Sequence, residues 1–276
     1  MINKKINSYY EDIIDENSRL ESNYSLVEFE RTKEIITRVI SNDSKLKILD
    51  LGAASGKYSF WLNSLGHEVT MIEPVQKHIN IANEINSKLS NKITIIQDDA
   101  LNITFNENSF DIVLNFGPIY HLTDKEDRIQ LHNIVNKILK PSGFYFISFI
   151  SRFASLLDGY RKDMMGDDEY VDIVKQDLHN GQHRGSKDGQ RYFIDSYFYL
   201  PEEMNEELEN LNFDNVELFS LESFSWILDS LDQILEKRNH KQLLYDLLKL
   251  IEKEKSLLGV SPHILAKCNK KLKNLL

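Results

Sequence analysis

The sequence predicts an α/β protein built on a doubly wound, mostly parallel sheet of seven strands. Short runs of β-branched and aromatic residues alternate with longer segments of helical periodicity. A turn of small residues, GAASG at 52–56, joins the first of these runs to a helical segment. Alternating strands and helices favour a parallel sheet with helices on both faces, because each strand returns to the sheet through a helical crossover.

Seven segments have the composition of buried strands. They are residues 47–51, 68–72, 92–96, 110–114, 143–150, 215–219 and 263–268. Helical patterns are predicted for residues 7–20, 24–40, 57–65, 75–89 and 124–139, for a helix from Pro201, and for a long helix within 226–258. Residues 151–190 contain charged side chains and a glycine-punctuated loop with no clear strand, which indicates an insertion.

These patterns divide the chain into four parts. We predict an N-terminal helical cap at 1–44, the core at 45–150, a lid or substrate insertion at 151–200, and the C-terminal part of the core at 201–276. A bare core of this type leaves its ligand crevice open to water. We therefore expect the cap and the insertion to close over the crevice.

Composition narrows the classes of function. A net charge of −10 and a pI near 5.3 disfavour binding to a nucleic-acid backbone. No apolar run approaches the roughly 20 residues that span a bilayer, and residues 1–10 lack the apolar centre of a secretory signal. We therefore expect a cytoplasmic protein that contacts neither nucleic acid nor membrane. The single cysteine, Cys268, predicts no disulfide, and no cluster has the ligand spacing of a metal site.

The strongest chemical signal is the segment ILDLGAASGKY at 48–58. Small residues in such a turn let a ligand approach the backbone, and N–H groups at the start of the next helix can bond carboxylate or hydroxyl oxygens. Glu73 follows the second strand about 20 residues later, where an acidic side chain can accept both ribose hydroxyls of a nucleoside. Together these features predict a nucleoside-binding crevice.

This part of the chain resembles the class I S-adenosylmethionine (SAM)-dependent methyltransferases, which have a Rossmann-like fold. Residues 50–56 resemble that family's first motif, Asp-x-Gly-x-Gly-x-Gly, with Ala54 in place of the middle glycine. Glu73 occupies the family's ribose-binding acidic position. The resemblance extends over about residues 45–150 and implies a SAM-dependent enzyme that methylates a small molecule and releases S-adenosylhomocysteine.

Two later segments carry the same resemblance. Residues 97–101 (QDDAL) resemble the segment in which an aspartate binds adenine, and Asp99 aligns there better than Asp98. Residues 111–122 (DIVLNFGPIYHL) resemble the segment that lines the methionine side of the cofactor. Their Gly-Pro-x-Tyr-His-Leu form is typical of a bacterial type 11-like branch of the family.

The resemblance implies three groups of site residues. The implied cofactor-binding residues are Asp50, Gly52, Ala53, Ala54, Gly56, Tyr58, Glu73, Pro74, Asp99, Ala100, Leu101, Asn115, Gly117 and Arg31. The implied substrate-binding residues are Tyr24, His183, Arg184, Tyr197 and His263. Tyr120 and His121 follow the fourth strand at its carboxyl end, where ligands bind in open α/β sheets, and are the candidate catalytic residues. His121 is the candidate base, needed only if the acceptor must lose a proton.

Several of these residues have a structural alternative. The turn glycines can serve only a tight strand-to-helix connection, and Glu73 and Asp99 can cap helices or turns. His121 can be a helix-entry residue that bonds the backbone. Tyr9 and Tyr10 can cover the site, but we expect their rings to pack on the core.

Three other functions match part of the pattern. An NAD(P)-dependent oxidoreductase would share the glycine-rich turn and the acid, but would leave residues 99–100 and 115–121 unexplained. A DNA or protein-amide methyltransferase usually carries Asn/Asp-Pro-Pro-Tyr/Phe where this chain has NFGPIY at 115–120. A non-catalytic SAM-binding or regulatory module would keep the fold without the activity. The acceptor, its methylated atom and the oligomeric state stay open.

Overall fold

The computed structural model describes residues 4–13, 23–40, 44–186 and 191–272. Its strands are β1 (Lys47–Leu51), β2 (Glu68–Ile72), β3 (Thr94–Ile96), β4 (Phe110–Asn115), β5 (Leu139–Ile150), β6 (Gln182–His183), β7 (Ser196–Tyr197), β8 (Phe213–Ser220) and β9 (His263–Lys270). Strands β6 and β7 form a separate antiparallel pair, and the other seven form one sheet.

Helices cover most of the remaining described residues. They are α1 (Lys4–Ser8), α2 (Asn23–Thr37), α3 (Lys57–Ser64), α4 (Gln76–Ser87), α5 (Pro118–His121), α6 (Lys125–Ile138), α7 (Ala154–Arg161), α8 (Asp168–Asn180), α9 (Pro201–Glu209), α10 (Leu231–Glu236), α11 (Arg238–Ile251) and α12 (Lys255–Leu258), with a π-helical turn at Tyr9–Ile13 and a 3-10 turn at Ser225–Ile227. No helix among the described residues is long and apolar enough to cross a membrane.

The main sheet has the strand order β3-β2-β1-β4-β5-β9-β8. Strands β1 to β5 pair in parallel, and β9 lies antiparallel between β5 and β8. The predicted doubly wound, mostly parallel seven-stranded sheet is therefore confirmed. Because the strand order reverses between β1 and β4, a crevice is left at the carboxyl ends of these two strands.

Alternate side chains of the central strands enter two separate cores. On one face, Leu49 and Val113 pack with Val135 of α6. On the other face, Ile48 and Leu114 pack in a cluster that also contains buried residues of α2, α3 and α4. A sheet buried on both faces explains why these strands read as continuous apolar runs rather than as an apolar-polar alternation.

The region after β5 is more regular than the sequence predicted. The described part of residues 151–190 contains α7, α8 and β6, so the expectation of no clear strand is wrong, while the insertion stays a prediction. Asp167 caps α8 by accepting the N–H groups of Glu169 and Tyr170, and Gly181 ends that helix with a left-handed φ of 73°. Both are local capping signals that the charged composition obscured.

The predicted long helix within 226–258 is divided into α10, α11 and α12. Lys237 is extended, with φ −94° and ψ 106°, and separates α10 from α11. The break lets Leu231 of α10 and Leu244 and Leu248 of α11 pack around the same buried residue, Val27 of α2. Tertiary packing thus overrides a helical periodicity that continues across Lys237.

The turn after β1 packs directly against the segment after β4. Gly52 has φ +64°, and a Cβ built on it would lie 2.4 Å from Cδ of Pro118. The N–H groups of Gly52 and Ala53 both donate to the Ile72 carbonyl at the end of β2. Glycine is required at position 52 for two reasons, a left-handed backbone and the close approach of a proline ring.

We predict that Gly52→Ala destabilises the protein far more than Gly66→Ala. Gly66 also has a positive φ, +93°, but a Cβ there meets no atom within 4 Å. Gly66→Ala should therefore cost only the left-handed strain, about 1–2 kcal/mol, whereas Gly52→Ala should add an overpacking cost of about 1–3 kcal/mol. Urea denaturation of both variants measures the difference. Equal losses would show that the Pro118 ring moves aside freely.

Candidate functional site

A cavity of about 80 Å³ lies at the carboxyl ends of β1 and β4, where the strand order reverses. Seven of the predicted site residues line it: Gly52, Ala54, Glu73, Pro74, Gly117, Tyr120 and His121. Seven others that were not assigned to the site also line it: Ile6, Asn7, Tyr10, Val75, His78, Phe116 and Pro118. The structure therefore brings together the turn after β1, the end of β2, the segment after β4 and the N-terminal residues.

The buried carboxylate of Glu73 organises the turn after β1. Its Oε2 accepts the Ala54 N–H at 2.9 Å, and its Oε1 accepts the Val75 N–H at 3.0 Å. Ala54 has a left-handed φ of +48°, which accounts for the glycine usual at this position in the first motif. Glu73 thus fills the capping role given above as its structural alternative. Contact with a ribose stays a prediction for the same carboxylate.

His78 is a cavity residue that the sequence reasoning missed. Its Nδ1 lies 3.1 Å from Oε1 of Glu73, and because a carboxylate only accepts, Nδ1 carries the hydrogen. Its Nε2 is buried and has no hydrogen-bond partner among the described residues. On neutral His78, Nε2 is therefore an acceptor in the cavity wall. The sequence offered one signal for this role, because His78 is a polar residue on the first turn of α4, five positions after Glu73.

Asp50 lies behind the turn, at the end of β1, rather than in the cavity wall. It is 2% exposed and accepts a hydrogen bond of 2.7 Å from Oγ of Ser59. Burial raises the pKa of Asp50 to about 7, and the nearby charge of Glu73 adds to that rise, while the bond from Ser59 opposes it. The geometry gives Asp50 a part in shaping the turn, and cofactor contact stays a prediction.

The predicted adenine segment lies in the loop after β3. Oδ1 of Asp99 accepts the Leu101 N–H at 3.0 Å, and Oδ1 of Asp98 accepts the Asp99 N–H at 2.7 Å. Ala100 is buried in the core. Asp99 thus stabilises its own loop, which is the structural alternative given for it, and none of these residues lines the cavity.

The segment after β4 begins with a buried asparagine and ends with His121. The side-chain amide of Asn115 donates to the Tyr145 hydroxyl at 2.8 Å, and its carbonyl oxygen accepts the Ile119 N–H at 3.3 Å. These two bonds fix the chain where it leaves the sheet and enters α5. Tyr120 donates to the Phe116 carbonyl at 3.1 Å, so Tyr120 and His121 reach the cavity from a rigid support.

His121 has a defined tautomer. Oγ of Ser196 donates its hydrogen to the Ile194 carbonyl, so it can only accept from Nδ1 of His121, 3.2 Å away. Nδ1 therefore carries the hydrogen, and Nε2 accepts the Tyr10 hydroxyl at 2.9 Å. Burial lowers the pKa of His121 to about 4, so the ring is neutral at pH 7. Tyr10 thus contacts the site, contrary to the expected packing role, while the ring of Tyr9 packs against Tyr10 and Phe193.

Two predicted cofactor residues lie on the face covered by α2. Arg31 is 2% exposed and forms ion pairs with Glu34 and with the buried Glu252. This placement gives no support to a cofactor contact by Arg31. Tyr58 packs between the rings of Phe29 and Phe116, each at 4.9 Å between centroids, so it supports the cavity wall from behind. Gly56, with φ +86°, begins α3 next to Phe60.

Three of the predicted substrate residues hold the region after β5 together. Nδ1 of His183 lies 2.8 Å from Oδ2 of buried Asp177, and its ring stacks on Phe198. Arg184 donates to the Gln182 side chain and the His183 carbonyl. Tyr197 lies under the guanidinium of Arg128, 4.1 Å from its ring centre. In these positions they support the region next to Ser196, which bonds His121.

The remaining two predicted substrate residues are Tyr24 and His263. The side chain of Tyr24 lies outside the described residues. His263 pairs with Glu222, 2.7 Å between Nδ1 and Oε1, and lies 3.6 Å from Oε2 of Glu28. The sequence predicted no metal site, because these three residues are distant along the chain. The structure brings their donor atoms within 4.8 Å of one another.

Comparisons with known proteins concern the domain and the fold of this chain. Residues 48–143 match the family model described as a methyltransferase domain. The phosphoethanolamine N-methyltransferase of Plasmodium falciparum is 31% identical over 148 residues, which cover 53% of this chain and 52% of that protein. The ubiquinone biosynthesis O-methyltransferase of Rickettsia canadensis is 33% identical over 125 residues, 44% of this chain and 51% of that one. The chain thus spans about half the length of these relatives.

Solved structures share the whole architecture. A SAM-dependent methyltransferase from Methanosarcina mazei superposes with a TM-score of 0.58, over 87% of this chain and 98% of that chain, at 19% identity. At this identity the likeness concerns the fold. Residues 48–143 therefore resemble a methyltransferase domain, and the fold of the chain is that of SAM-dependent methyltransferases of known structure.

Proposed function

We propose that this protein is a SAM-dependent methyltransferase that acts on a small-molecule acceptor and releases S-adenosylhomocysteine. The observation that carries the proposal is the crevice at the strand-order reversal, where a left-handed small-residue turn, the Glu73 carboxylate and the segment ending in His121 face one cavity. Relatives are named for phosphoethanolamine N-methylation and for O-methylation in ubiquinone biosynthesis. A net charge of −10 supports an acceptor other than nucleic acid.

The residues of the crevice fit an adenosyl donor. Glu73 is a buried acceptor for ribose hydroxyls, and His78, whose buried Nε2 has no hydrogen-bond partner among the described residues, lines the cavity beside it. Gly52 allows the Pro118 ring to pack against the turn and so fixes the shape of the crevice. Asp99 and the N–H groups after it are the candidates for the adenine edge. Bound SAM would supply a methyl group on a sulfonium, a leaving group that needs no acid.

The N-terminal residues must move when a donor of this size binds. The cavity of about 80 Å³ is well below the 300–1,000 Å³ typical of sites for molecules of this size. Ile6, Asn7 and Tyr10 form one wall, and the bond from Tyr10 to His121 ties that wall to α5. We propose that the N-terminal segment opens to admit the ligands and closes over them, as part of the predicted cap. We further propose that the region 151–200, whose Ser196 bonds His121, acts as the predicted lid.

Positioning is the main task of the protein in this reaction. In-line transfer needs the attacking atom held near the methyl carbon, and orientation of that kind contributes much of the acceleration. The His121 ring is neutral, and its Nε2 carries a lone pair. Once Tyr10 moves, Nε2 can accept a hydrogen bond from the substrate that receives the methyl group. With a pKa of about 4, His121 is a weak base at neutral pH. We therefore propose that His121 orients the acceptor and does not act as a general base.

We predict that the protein binds SAM and S-adenosylhomocysteine and not NADH, as measured by isothermal titration. Glu73→Gln should weaken binding of SAM by about tenfold or more, because an amide accepts ribose hydroxyls less well than a carboxylate. Glu68→Gln is the control, because Glu68 is exposed at the amino end of β2, the strand that precedes Glu73. This variant should leave the affinity for SAM unchanged. Binding of NADH in preference to SAM would refute the cofactor assignment.

A ligand comparison separates ribose recognition from damage to the turn. Adenosine should compete with SAM better than 2′-deoxyadenosine does, and Glu73→Gln should reduce that difference. If Glu73 only held the turn, the variant would weaken both competitors equally. The acceptor itself can be found by incubating the protein with SAM and a cell extract and identifying by mass spectrometry the compound that gains about 14 mass units. Tight SAM binding without such a product would favour the non-catalytic module.

We predict that His121→Asn lowers kcat by about 10²-fold with the identified acceptor, because the acceptor loses its orientation, while the affinity for SAM changes little. Because the pKa of His121 is about 4, the loss should be the same at every pH between 6 and 8. Tyr10→Phe, which removes the hydroxyl bonded to Nε2, should change kcat less. If instead the wild-type rate rose with pH through a pKa near 6.5, and the rate of His121→Asn did not, His121 would be a general base.

Asp50 and His121 should give opposite dependences of stability on pH. The pKa of Asp50 is raised from 3.8 to about 7, so between about pH 4 and 7 the folded state holds the extra proton and stability falls as pH rises. The pKa of His121 is lowered from 6.5 to about 4, so in that window the unfolded state holds the extra proton and stability rises with pH. The two contributions largely cancel in the wild type.

Substitution should expose each contribution separately. We predict that, as pH rises from 4.5 to 6.5, the unfolding free energy of Asp50→Asn increases relative to that of the wild type by about 1.4 kcal/mol per pH unit. The unfolding free energy of His121→Asn should decrease relative to the wild type by a similar amount per pH unit. Urea denaturation across this range measures both, and the double variant should again parallel the wild type. Curves of unchanged slope would mean that neither group has a shifted pKa.

A further inference from the structure

We propose that Glu207 of α9 is a positioning residue whose buried carboxylate holds both ends of the segment 115–123. This segment follows β4 and carries Tyr120 and His121 to the cavity wall. The side chain of Glu207 is 7% exposed and does not line the cavity. The proposal rests on the proposed function, since it concerns the orientation of the two candidate catalytic residues.

The first of two connections runs from Glu207 to the start of this segment. Oε1 of Glu207 accepts a hydrogen bond from Nε2 of His132 on α6, 3.1 Å away. Nδ1 of His132 lies 3.3 Å from the hydroxyl of Tyr145, which accepts the side-chain amide of Asn115 at 2.8 Å. Oδ1 of Asn115 in turn accepts the Ile119 N–H of α5 at 3.3 Å. The amino end of α5 is therefore connected to α9 through buried side chains.

The donors and acceptors of this connection form one consistent chain. A carboxylate only accepts, so the hydrogen bond to Glu207 places a hydrogen on Nε2 of His132. The Tyr145 oxygen accepts from Asn115, and its own hydrogen can be donated to Nδ1 of His132. Asn115, His132 and Tyr145 are each 0% exposed. A bond lost from this chain therefore leaves a buried polar group unpaired, which is costly.

The second connection runs from Glu207 to the end of the segment. Nε of Arg128, also on α6, donates to Oε2 of Glu207 at 3.4 Å. Nη1 of Arg128 donates to the carbonyls of Leu122 and Thr123, at 3.1 and 3.0 Å. These are the two residues that follow His121. The same carboxylate thus reaches the backbone on both sides of the two candidate catalytic residues.

Glu207 is suited to this role because an ionised carboxylate accepts from several donors at once. Its Oε1 accepts from His132 and from the Tyr199 hydroxyl, and its Oε2 accepts from Arg128. Burial raises the pKa of Glu207, but the hydrogen bond from His132 and the charge of Arg128 outweigh burial and lower that pKa below its usual value. The amide of a glutamine has a single accepting oxygen, so it cannot serve all these donors.

Loss of the Glu207 carboxylate should shift the segment without removing a group that lines the cavity. Misplacement of a reacting group by about 1 Å can lower a rate by about 10²-fold, even where the substituted residue is distant from the chemistry. The hydrogen bonds of Glu73 with Ala54 and Val75 do not involve this network. We therefore expect a loss of turnover that is larger than any loss of affinity for SAM.

The first test is amide hydrogen exchange, which needs no acceptor molecule. In Glu207→Gln, the Ile119 N–H should exchange about tenfold faster or more than in the wild type, because the segment opens locally more often. Glu203→Gln is the matched control, since it removes another carboxylate of α9 and the ion pair of another buried arginine, Arg152. It should leave exchange at Ile119 unchanged. Equal exchange rates at Ile119 in the two variants would overturn the proposal.

The second test is turnover of the acceptor identified by mass spectrometry. Glu207→Gln should lower kcat by about tenfold or more, with a change of less than about threefold in the affinity for SAM. Glu203→Gln should retain the wild-type kcat. If Glu207→Gln also retained it, Glu207 would not position the catalytic residues, and the proposal would be refuted. If no acceptor is found, the exchange test still decides whether Glu207 holds the segment.

A conservative variant separates the hydrogen-bonded chain from a loss of packing. His132→Gln can still accept from the Tyr145 hydroxyl and donate to Glu207, whereas His132→Leu can do neither. His132→Gln should therefore keep exchange at Ile119 closer to the wild-type rate and retain more of kcat. Circular dichroism confirms that each variant is folded. Equal losses in the two His132 variants would contradict the proposed connection to the start of the segment.

Discussion

A single buried carboxylate, that of Glu73, holds together the part of the fold on which the candidate site depends. It accepts hydrogen bonds from the backbone of Ala54 and Val75 and from the ring of His78. The left-handed backbone of Ala54 costs roughly 1–2 kcal/mol, and a hydrogen bond to a charged acceptor contributes roughly 1.5–3 kcal/mol. The bond therefore offsets the strain, which explains how alanine can stand where the family motif usually has glycine.

The same carboxylate determines the electrostatics behind the turn. Asp50 lies at the end of the neighbouring strand, out of contact with water, and the charge of Glu73 makes its ionisation harder still. The hydroxyl of Ser59 compensates in part. Because Gly52 also packs against Pro118, the turn after β1 is constrained from the β2 side and from the β4 side. The wall of the cavity nearest the sheet is therefore rigid, and adjustment to a ligand falls to the N-terminal residues.

The sequence was sufficient for the centre of the sheet, because β1, β2 and β4 are short apolar runs, and helices follow each of them. Strands β1 and β2 begin and end where the apolar runs do. It was insufficient where packing between distant segments decides the structure. The break at Lys237 serves a contact with Val27, and the two-residue strands β6 and β7 are too short to produce a periodic pattern.

The same distinction applies to the site. Gly52, Glu73 and His121 are recognisable because each follows a strand at a place where the topology requires a ligand-facing residue. Tyr10 and His78 were missed because their positions depend on contacts with His121 and Glu73 rather than on a local pattern. Arg31 was assigned from resemblance, and its partners Glu34 and Glu252 instead join α2 to the C-terminal region.

The residues proposed to bind the methyl donor come from one continuous part of the chain, whereas the rest of the candidate site comes from distant segments. The donor side is local, since the turn, the acid and the segment after β4 all lie between residues 48 and 143, the part that the family model matches. The opposite wall comes from Ile6, Asn7 and Tyr10, and Ser196, far along the chain, supports His121 from outside the cavity. A change of acceptor can alter these separate pieces without disturbing the donor crevice. Under the proposed function, we therefore expect the specificity for the acceptor to depend on the walls outside residues 48–143.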